Sequence, residues 1–337
     1  MRVSVLLPCY NAADTISATL DTLFAQTLPD IEIVAVDDGS TDATPSILET
    51  YQQKHPSLRV LRCPHRGIIP TLNEGLRACR APYIARMDAD DLAYPTRLTA
   101  QATYLDQHPE IALVSCLVEG FPADDVRDGF RIYLNWLNGL QTHEQIAREI
   151  FIESPLPHPS VMFRRDAVRA LGGYVEKGWP EDYDLWLRMY LNGARFAKVP
   201  ETLVAWREHP NRLTRTDRRY SVENFIRAKA HYLVRGPLHN RDGVIIWGAG
   251  MMGRRLSKHL TREGAPLACF IDIDPKKIGK TKRGLPIIAV GELDTWWERY
   301  ERPILLAAVA ARGARNLIRE QLEARGYVEG RNWLSVA

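Results

Sequence analysis

The chain has 337 residues, 45% apolar and 25% charged, with a formal net charge of +3. The length suggests about two domains, and the composition suits a folded globular protein and excludes a disordered or collagen-like one. So nearly balanced a charge gives no general drive toward nucleic acid, which is not expected as a partner.

Val3–Leu7 is a strand-like apolar run, and the opening MRVSVLLPCYNAAD passes straight into polar residues. It reads as a buried first strand, with no cleavable leader expected. Ala12–Gln26 has helical spacing, and Ile31–Val36 is a second strand ending at Asp37-Asp38-Gly39-Ser40. Thr44–His55 reads as a helix with Pro45 in its first turn. Leu58–Cys63 is a third strand, Ile69–Cys79 a helix, and Tyr83–Met87 a fourth strand meeting Asp88. Strands alternating with helices predict a parallel, doubly wound sheet. Ligands of such sheets bind beyond the carboxyl ends of the strands, where the acidic clusters of this chain fall. From Arg97 to Arg235 the signal is mixed: helices at Arg97–Asp106, Gln141–Phe151, Asp182–Leu191 and Ser221–Val234, and a short strand at Val161–Phe163. The breaker-rich Arg235–Asn240 reads as a linker. Alternation restarts with Val244–Trp247, Met252–Arg262 and Leu267–Ile271, and continues through Ile304–Val309, Arg312–Arg325 and Trp333–Val336. Two domains are therefore expected, 1–235 and 241–337, both α/β.

Three acidic clusters carry the chemistry. Asp37-Asp38-Gly39-Ser40-Thr41-Asp42 follows the second strand. Such residues favour turns, but a carboxylate there also suits a nucleobase N–H or a ribose. Asp42 suits capping the next helix. Asp88-Ala89-Asp90-Asp91 follows the fourth strand. D-x-D spacing puts two carboxylates on one side of an extended segment, and hard divalent cations that bridge diphosphates want such oxygens. A solvated loop explains DADD alone equally well; two acidic clusters on one sheet edge favour the cation. Glu181-Asp182-Tyr183-Asp184 opens a helix. These acids complement the helix dipole, and Asp184 faces Arg188 at i, i+4.

PCYNA (8–12), VAVDDGSTD (34–42), TLNEGL (71–76), MDADD (87–91), HPSVMFRR (158–165), LGGY (171–174) and EDYDLWLR (181–188) together resemble the family 2 glycosyltransferases of the GT-A fold, over roughly residues 1–215. The resemblance implies transfer of a sugar from a nucleotide diphosphate donor, with inversion, to a saccharide or lipid-linked saccharide acceptor in polysaccharide or glycoconjugate assembly. A UDP-sugar is the expected donor and Mg²⁺ or Mn²⁺ the expected cofactor. Asp38 resembles the family's base-contacting Asp, Asp88 its ribose or donor contact, Asp90 its metal ligand and Asp182 its catalytic base, with Glu181 of the same pair among the nucleotide-sugar contacts. Pro8, Tyr10 and Asn11 match the first loop around the nucleotide, and Arg66 matches basic donor contacts more loosely. Trp206-Arg207-Glu208-His209 resembles the family's Arg-x-His segment, making Arg207 a diphosphate clamp and His209 a metal or phosphate ligand. His158 sits in a similar loop.

Val244–Trp247 runs into Gly248-Ala249-Gly250-Met251-Met252-Gly253, a G-x-G-x-x-G between strand and helix, with Asp272 about 20 residues on. This resembles a Rossmann-like unit, in which Gly248, Gly250, Gly253 and Asp272 make a second nucleotide site; the plainer alternative is strand–helix packing. Basic Lys276–Arg283 reads as a solvated loop that also suits anionic lipid headgroups. Five scattered cysteines without a C-x-x-C suggest reduced thiols and a cytoplasmic setting, with peripheral contact at the inner face of the membrane. A sugar nucleotidyltransferase would want a basic, Gly-rich loop after the first strand, where Pro8–Ala13 stands. A non-catalytic nucleotide-sugar binder would need no base such as Asp182.

Overall fold

The computed structural model describes residues 1–337 and divides into two compact units. The first comprises Met1–Ile146, Pro155–Lys177 and Glu181–Thr216; the second comprises Ala147–Ser154, Gly178–Pro180 and Asp217–Ala337. The helix Val222–Arg235, placed in the first domain from sequence, lies in the second unit.

The first unit holds strands β1 (Val3–Cys9), β2 (Glu32–Asp37), β3 (Leu58–Arg62), β4 (Tyr83–Arg86), β5 (Leu92–Ala93), β6 (Ile111–Phe121), β7 (Met162–Arg164) and β8 (Arg195–Arg207). They form one sheet in the order β3-β2-β1-β4-β7-β6-β8-β5. β1, β2 and β4 are buried at every position, as apolar runs in a parallel sheet covered on both faces should be. β3, β2, β1 and β4 pair in parallel, as expected. Beyond β4 the sheet is mixed: β7 runs antiparallel to both β4 and β6, β6 parallel to β8, and β5 antiparallel to β8. Chain order reverses at β1, so the ends of β1 and β4 flank the crevice where open α/β sheets bind ligands.

The first helix starts at Ile16, not Ala12. The backbone N–H groups of Asn11, Ala12 and Ala13 donate to Ser40 Oγ (2.9 Å), Thr44 Oγ1 (2.8 Å) and Asp42 Oδ2 (3.0 Å), so side chains of the next loop hold residues 11–13 out of the helix. The helix Glu181–Leu191 is pinned by a buried ion pair: Arg188 Nε donates to Asp184 Oδ2 at 2.7 Å, and its two Nη atoms to the carbonyls of Leu171 and Gly173. Lys177 Nζ is 3.9 Å from the other Asp184 oxygen, too far for a hydrogen bond. Removing one member of a buried pair typically costs ~3–5 kcal/mol. Arg188→Ala should therefore lose about 3 kcal/mol in urea unfolding; a change under about 1 kcal/mol would show that the pair is effectively solvated.

The second unit holds β9 (Gly243–Trp247), β10 (Leu267–Ile271), β11 (Thr281–Lys282), β12 (Leu285–Ile288), β13 (Pro303–Ala307) and β14 (Trp333–Ser335), ordered β11-β12-β10-β9-β13-β14. All pairs are parallel except β11 with β12. A Cβ on Gly253 would lie 1.8 Å from the Gly248 carbonyl oxygen, so this glycine is required by packing. No helix is long and apolar enough to cross a membrane.

Candidate active site

The β4 end sets the acidic centre. Asp88, Asp90 and Asp91 each present a carboxylate oxygen, all within 4.8 Å of one another. Asp91 is 1% exposed; its Oδ1 accepts from the Arg207 backbone N–H at 2.7 Å, and its Oδ2 is buried with no partner. Burial, then Asp90 and Asp88, raise the Asp91 carboxyl well above the usual range; burial and Asp88 also raise Asp90. Three crowded carboxylates, one with an orphaned buried oxygen, fit a divalent cation, which needs such oxygens and relieves their repulsion.

β8 closes this centre because β5, just after the acids, pairs with it at Leu92↔Ala205 and Ala93↔Val204. His209 Nε2 lies 2.9 Å from Asp90 Oδ2. Arg207 Nε donates to the Asp90 carbonyl at 2.6 Å, and its guanidinium lies 4.3 Å from the Phe121 ring centroid. His209, Arg207 and Asp90 are thus brought together.

Arg86, the last residue of β4, is 3% exposed and ion-paired with Asp88. Burial opposes its charge, but the field and hydrogen bond of Asp88, with Tyr174 and Asp91, outweigh that and raise its pKa. It was not singled out from sequence; the signal is an arginine at a buried strand end directly before the acids. Asp91 was quoted there only as part of its motif. The Arg86 charge also reaches Asp182 and His158.

Asp182 lies in the first turn of the helix Glu181–Leu191, its Oδ1 accepting from the Tyr183 N–H at 2.7 Å. Burial, then the neighbouring Glu181 carboxylate, push its carboxyl up to about 8. Glu181 is buried, 4.0 Å from His158 Nδ1. His158 Nε2 is 2.9 Å from Tyr174 Oη, and burial with the Arg86 charge holds the ring neutral. His158 therefore sits buried against Tyr174 and Glu181, within reach of the Arg86 charge.

Asp38 makes a separate cluster past β2. Its two carboxylate oxygens accept from the N–H groups of Arg66 and Gly67, both at 2.9 Å, and His65 Nδ1 is 2.9 Å from Oδ2. The Tyr10 and His65 rings stack at 4.1 Å. Gly39, with φ +72°, has no room for a Cβ, which would lie 2.7 Å from His65 N; the close approach it permits is by this loop. The Arg66 side chain is exposed at the loop mouth. Asn11, at φ 47°, uses Oδ1 to accept from the Thr41 N–H at 2.8 Å. Pro8 lies within β1, buried opposite Val36. β2 and β4 flank β1, so two strand spacings of ~4.8 Å separate the Asp38 and Asp88 ends by about 10 Å. Cys9, at the end of β1, feels Asp37 on one side and Asp88 on the other. One strand edge thus presents a clamped loop with an aromatic stack and, about 10 Å away, an acidic centre.

Residues 4–172, half of the chain, match the family model "Glycosyl transferase family 2". The amylovoran biosynthesis glycosyltransferase AmsE of Erwinia amylovora is 33% identical over 204 residues, 60% of this chain and 74% of AmsE. The putative glycosyltransferase EpsE of Bacillus subtilis is 31% identical over 231 residues, 67% of this chain and 80% of EpsE. Among solved structures, S. aureus TarS in complex with UDP-GlcNAc superposes with a TM-score of 0.59 at 20% identity, covering 78% of this chain and 72% of the TarS chain. That likeness bears out the expected α/β, GT-A type of fold. The motif-based resemblance is borne out too: the chain belongs to glycosyl transferase family 2.

Proposed function

We propose that this glycosyltransferase moves a sugar from a uridine diphosphate donor, with inversion, to a saccharide or lipid-linked saccharide hydroxyl, using a divalent cation. The observation that carries the reading is the Asp88–Asp90–Asp91 cluster with its orphaned Asp91 oxygen, together with an Asp182 carboxyl of raised pKa that feels the same Arg86 charge as the cluster. TarS was solved with UDP-GlcNAc, and AmsE is named for amylovoran biosynthesis; these support a uridine donor and polysaccharide assembly.

Asp90, Asp91 and, just past β8, His209 would hold Mg²⁺ or Mn²⁺, with Asp88 and its Arg86 partner toward the ribose or donor. The bound cation supplies Lewis-acid stabilisation of the charge that develops on the departing diphosphate. Asp38 would accept from the base ring N–H with a lone pair its loop bonds leave free. Tyr10 and Asn11 line the base, with Pro8 behind them. Arg66 and Arg207 would meet the diphosphate. Asp182 would take the acceptor hydroxyl's proton during attack on the face opposite the leaving group, and Glu181 keeps its pKa raised. A carboxylate near pKa 8 is a far better base at neutral pH than one near 4. Since only the ionised form accepts a proton, kcat/KM should rise with pH, be half-maximal at the Asp182 pKa of about 8 and level off above it. A flat profile between about pH 5 and 9 would remove Asp182 from the step.

Donor hydrolysis and transfer, followed for UDP- and GDP-sugars with and without Mn²⁺, test the reading as a whole. Cation-dependent turnover of a UDP-sugar is expected. A chain that binds donors but never turns them over would be a binding protein instead.

A further inference from the structure

The second unit contains a cavity of about 330 Å³ that sugar transfer does not use. It opens beyond the carboxyl ends of β9, β10 and β13, with Gly250, Met251, Asp272, Ile273, Lys277 and Leu317 among its walls. Within β12-β10-β9-β13-β14 the chain order reverses at β9, and open α/β sheets hold ligands at such a point.

Three observations say what kind of ligand fits. The first is a glycine the protein does not need. Gly248 has φ +119° and no room for a Cβ, and Gly253 packs against it. Gly250 differs: its φ is −76° and ψ −161°, and a Cβ there would meet nothing within 4 Å. At a helix N-cap Ser, Asn or Asp outrank glycine. Yet Gly250 opens the helix Met251–Arg262 with no side-chain cap and no acid in the first turn. The space is kept clear beside N–H groups suited to an anion. The second is an apolar rim: Met251, Ile273 and Leu317 are 57%, 75% and 60% exposed, three of the ten exposed large hydrophobic residues of the chain. Such a rim suits the faces of a planar ring. The third is Asp272, whose Oδ2 accepts from the Ala249 N–H at 3.0 Å and lies 3.1 Å from Lys277 Nζ. Its Oδ1 accepts from the Asp274 N–H at 3.0 Å, which leaves the fixed carboxylate one acceptor site for a ribose hydroxyl.

We propose that the second unit binds a ribonucleoside diphosphate moiety, with phosphate over Gly250 and Met251, ribose at Asp272 and Lys277, and base against the apolar rim of Met251, Ile273 and Leu317. A free nucleotide, a nucleotide sugar and a dinucleotide share this chemistry. Calorimetric titration of the full chain in EDTA with ADP, UDP, UDP-glucose and NAD⁺ separates these sources, and two variants separate this site from the transferase site. Gly250→Ala puts a Cβ into the phosphate space, where it meets nothing within 4 Å in the free protein; Lys277→Ala changes a part-exposed side chain and guards against a folding artefact. At least one nucleotide should bind the wild type, and both variants, with unchanged melting curves, should raise its Kd about tenfold or more. No binding in EDTA, or equal Kd in all three proteins, would overturn the proposal and leave the transferase reading untouched.

Discussion

Asp182→Asn should lower kcat by about 10²- to 10⁴-fold, the usual contribution of a positioned general base, and leave donor affinity unchanged. The amide is near-isosteric and can still accept the Tyr183 N–H through its oxygen, so the helix start should persist. What it lacks is a lone pair basic enough for the acceptor's proton. Removing the charge also relieves repulsion with Glu181, the second cause of the raised pKa. The variant should thus be at least as stable as the wild type above about pH 6. The sign follows from linkage: a carboxyl whose folded pKa is raised to about 8 binds more protons folded than unfolded, so the wild type loses stability as pH rises from about 4 to 8. An Asp182→Asn enzyme with wild-type kcat, measured with saturating donor and acceptor, would take Asp182 out of the reaction.

Asp90→Ala should have the other large effect, on donor binding. Asp88, Asp90 and Asp91 crowd their oxygens within 4.8 Å, and burial raises the last two. A cation converts that repulsion into attraction and gives the diphosphate a partner. Loss of second-sphere partners in metal sites costs ~10- to 100-fold in affinity, and loss of a direct ligand should exceed that. Titration of UDP with Mn²⁺ present should show the variant falling to the affinity the wild type has in EDTA. Equal cation dependence in the two proteins would move the cation away from Asp90.

The parts of the fold written locally were legible in the sequence. β1, β2 and β4 are unbroken buried runs ending at polar residues, and they read as central parallel strands. β8 was missed because Pro200, Glu201 and Thr202 interrupt it: these residues are exposed, and the pairing with β6 slips around them. The strand exists because β6, some 80 residues earlier, supplies its partner, and no local pattern reports that. The same limit applies at the site. Asp90 and His209 could be named as residue types, but their 2.9 Å contact depends on the β5–β8 pairing. Arg86 escaped notice because a charged residue inside a strand reads as solvent-facing; three acids and a buried strand end explain its burial. Asp38 could be read as a ligand contact, whereas its bonds to Arg66, Gly67 and His65 come from a loop nearly 30 residues on.

The most direct test is anomalous diffraction from crystals grown with Mn²⁺ and UDP. A manganese peak is expected at the Asp90 or Asp91 carboxylate oxygens, with the uracil against Asp38 and the Asp182 carboxylate open to the acceptor side. Manganese or UDP bound elsewhere, with Asp91 Oδ2 still unpartnered, would contradict it.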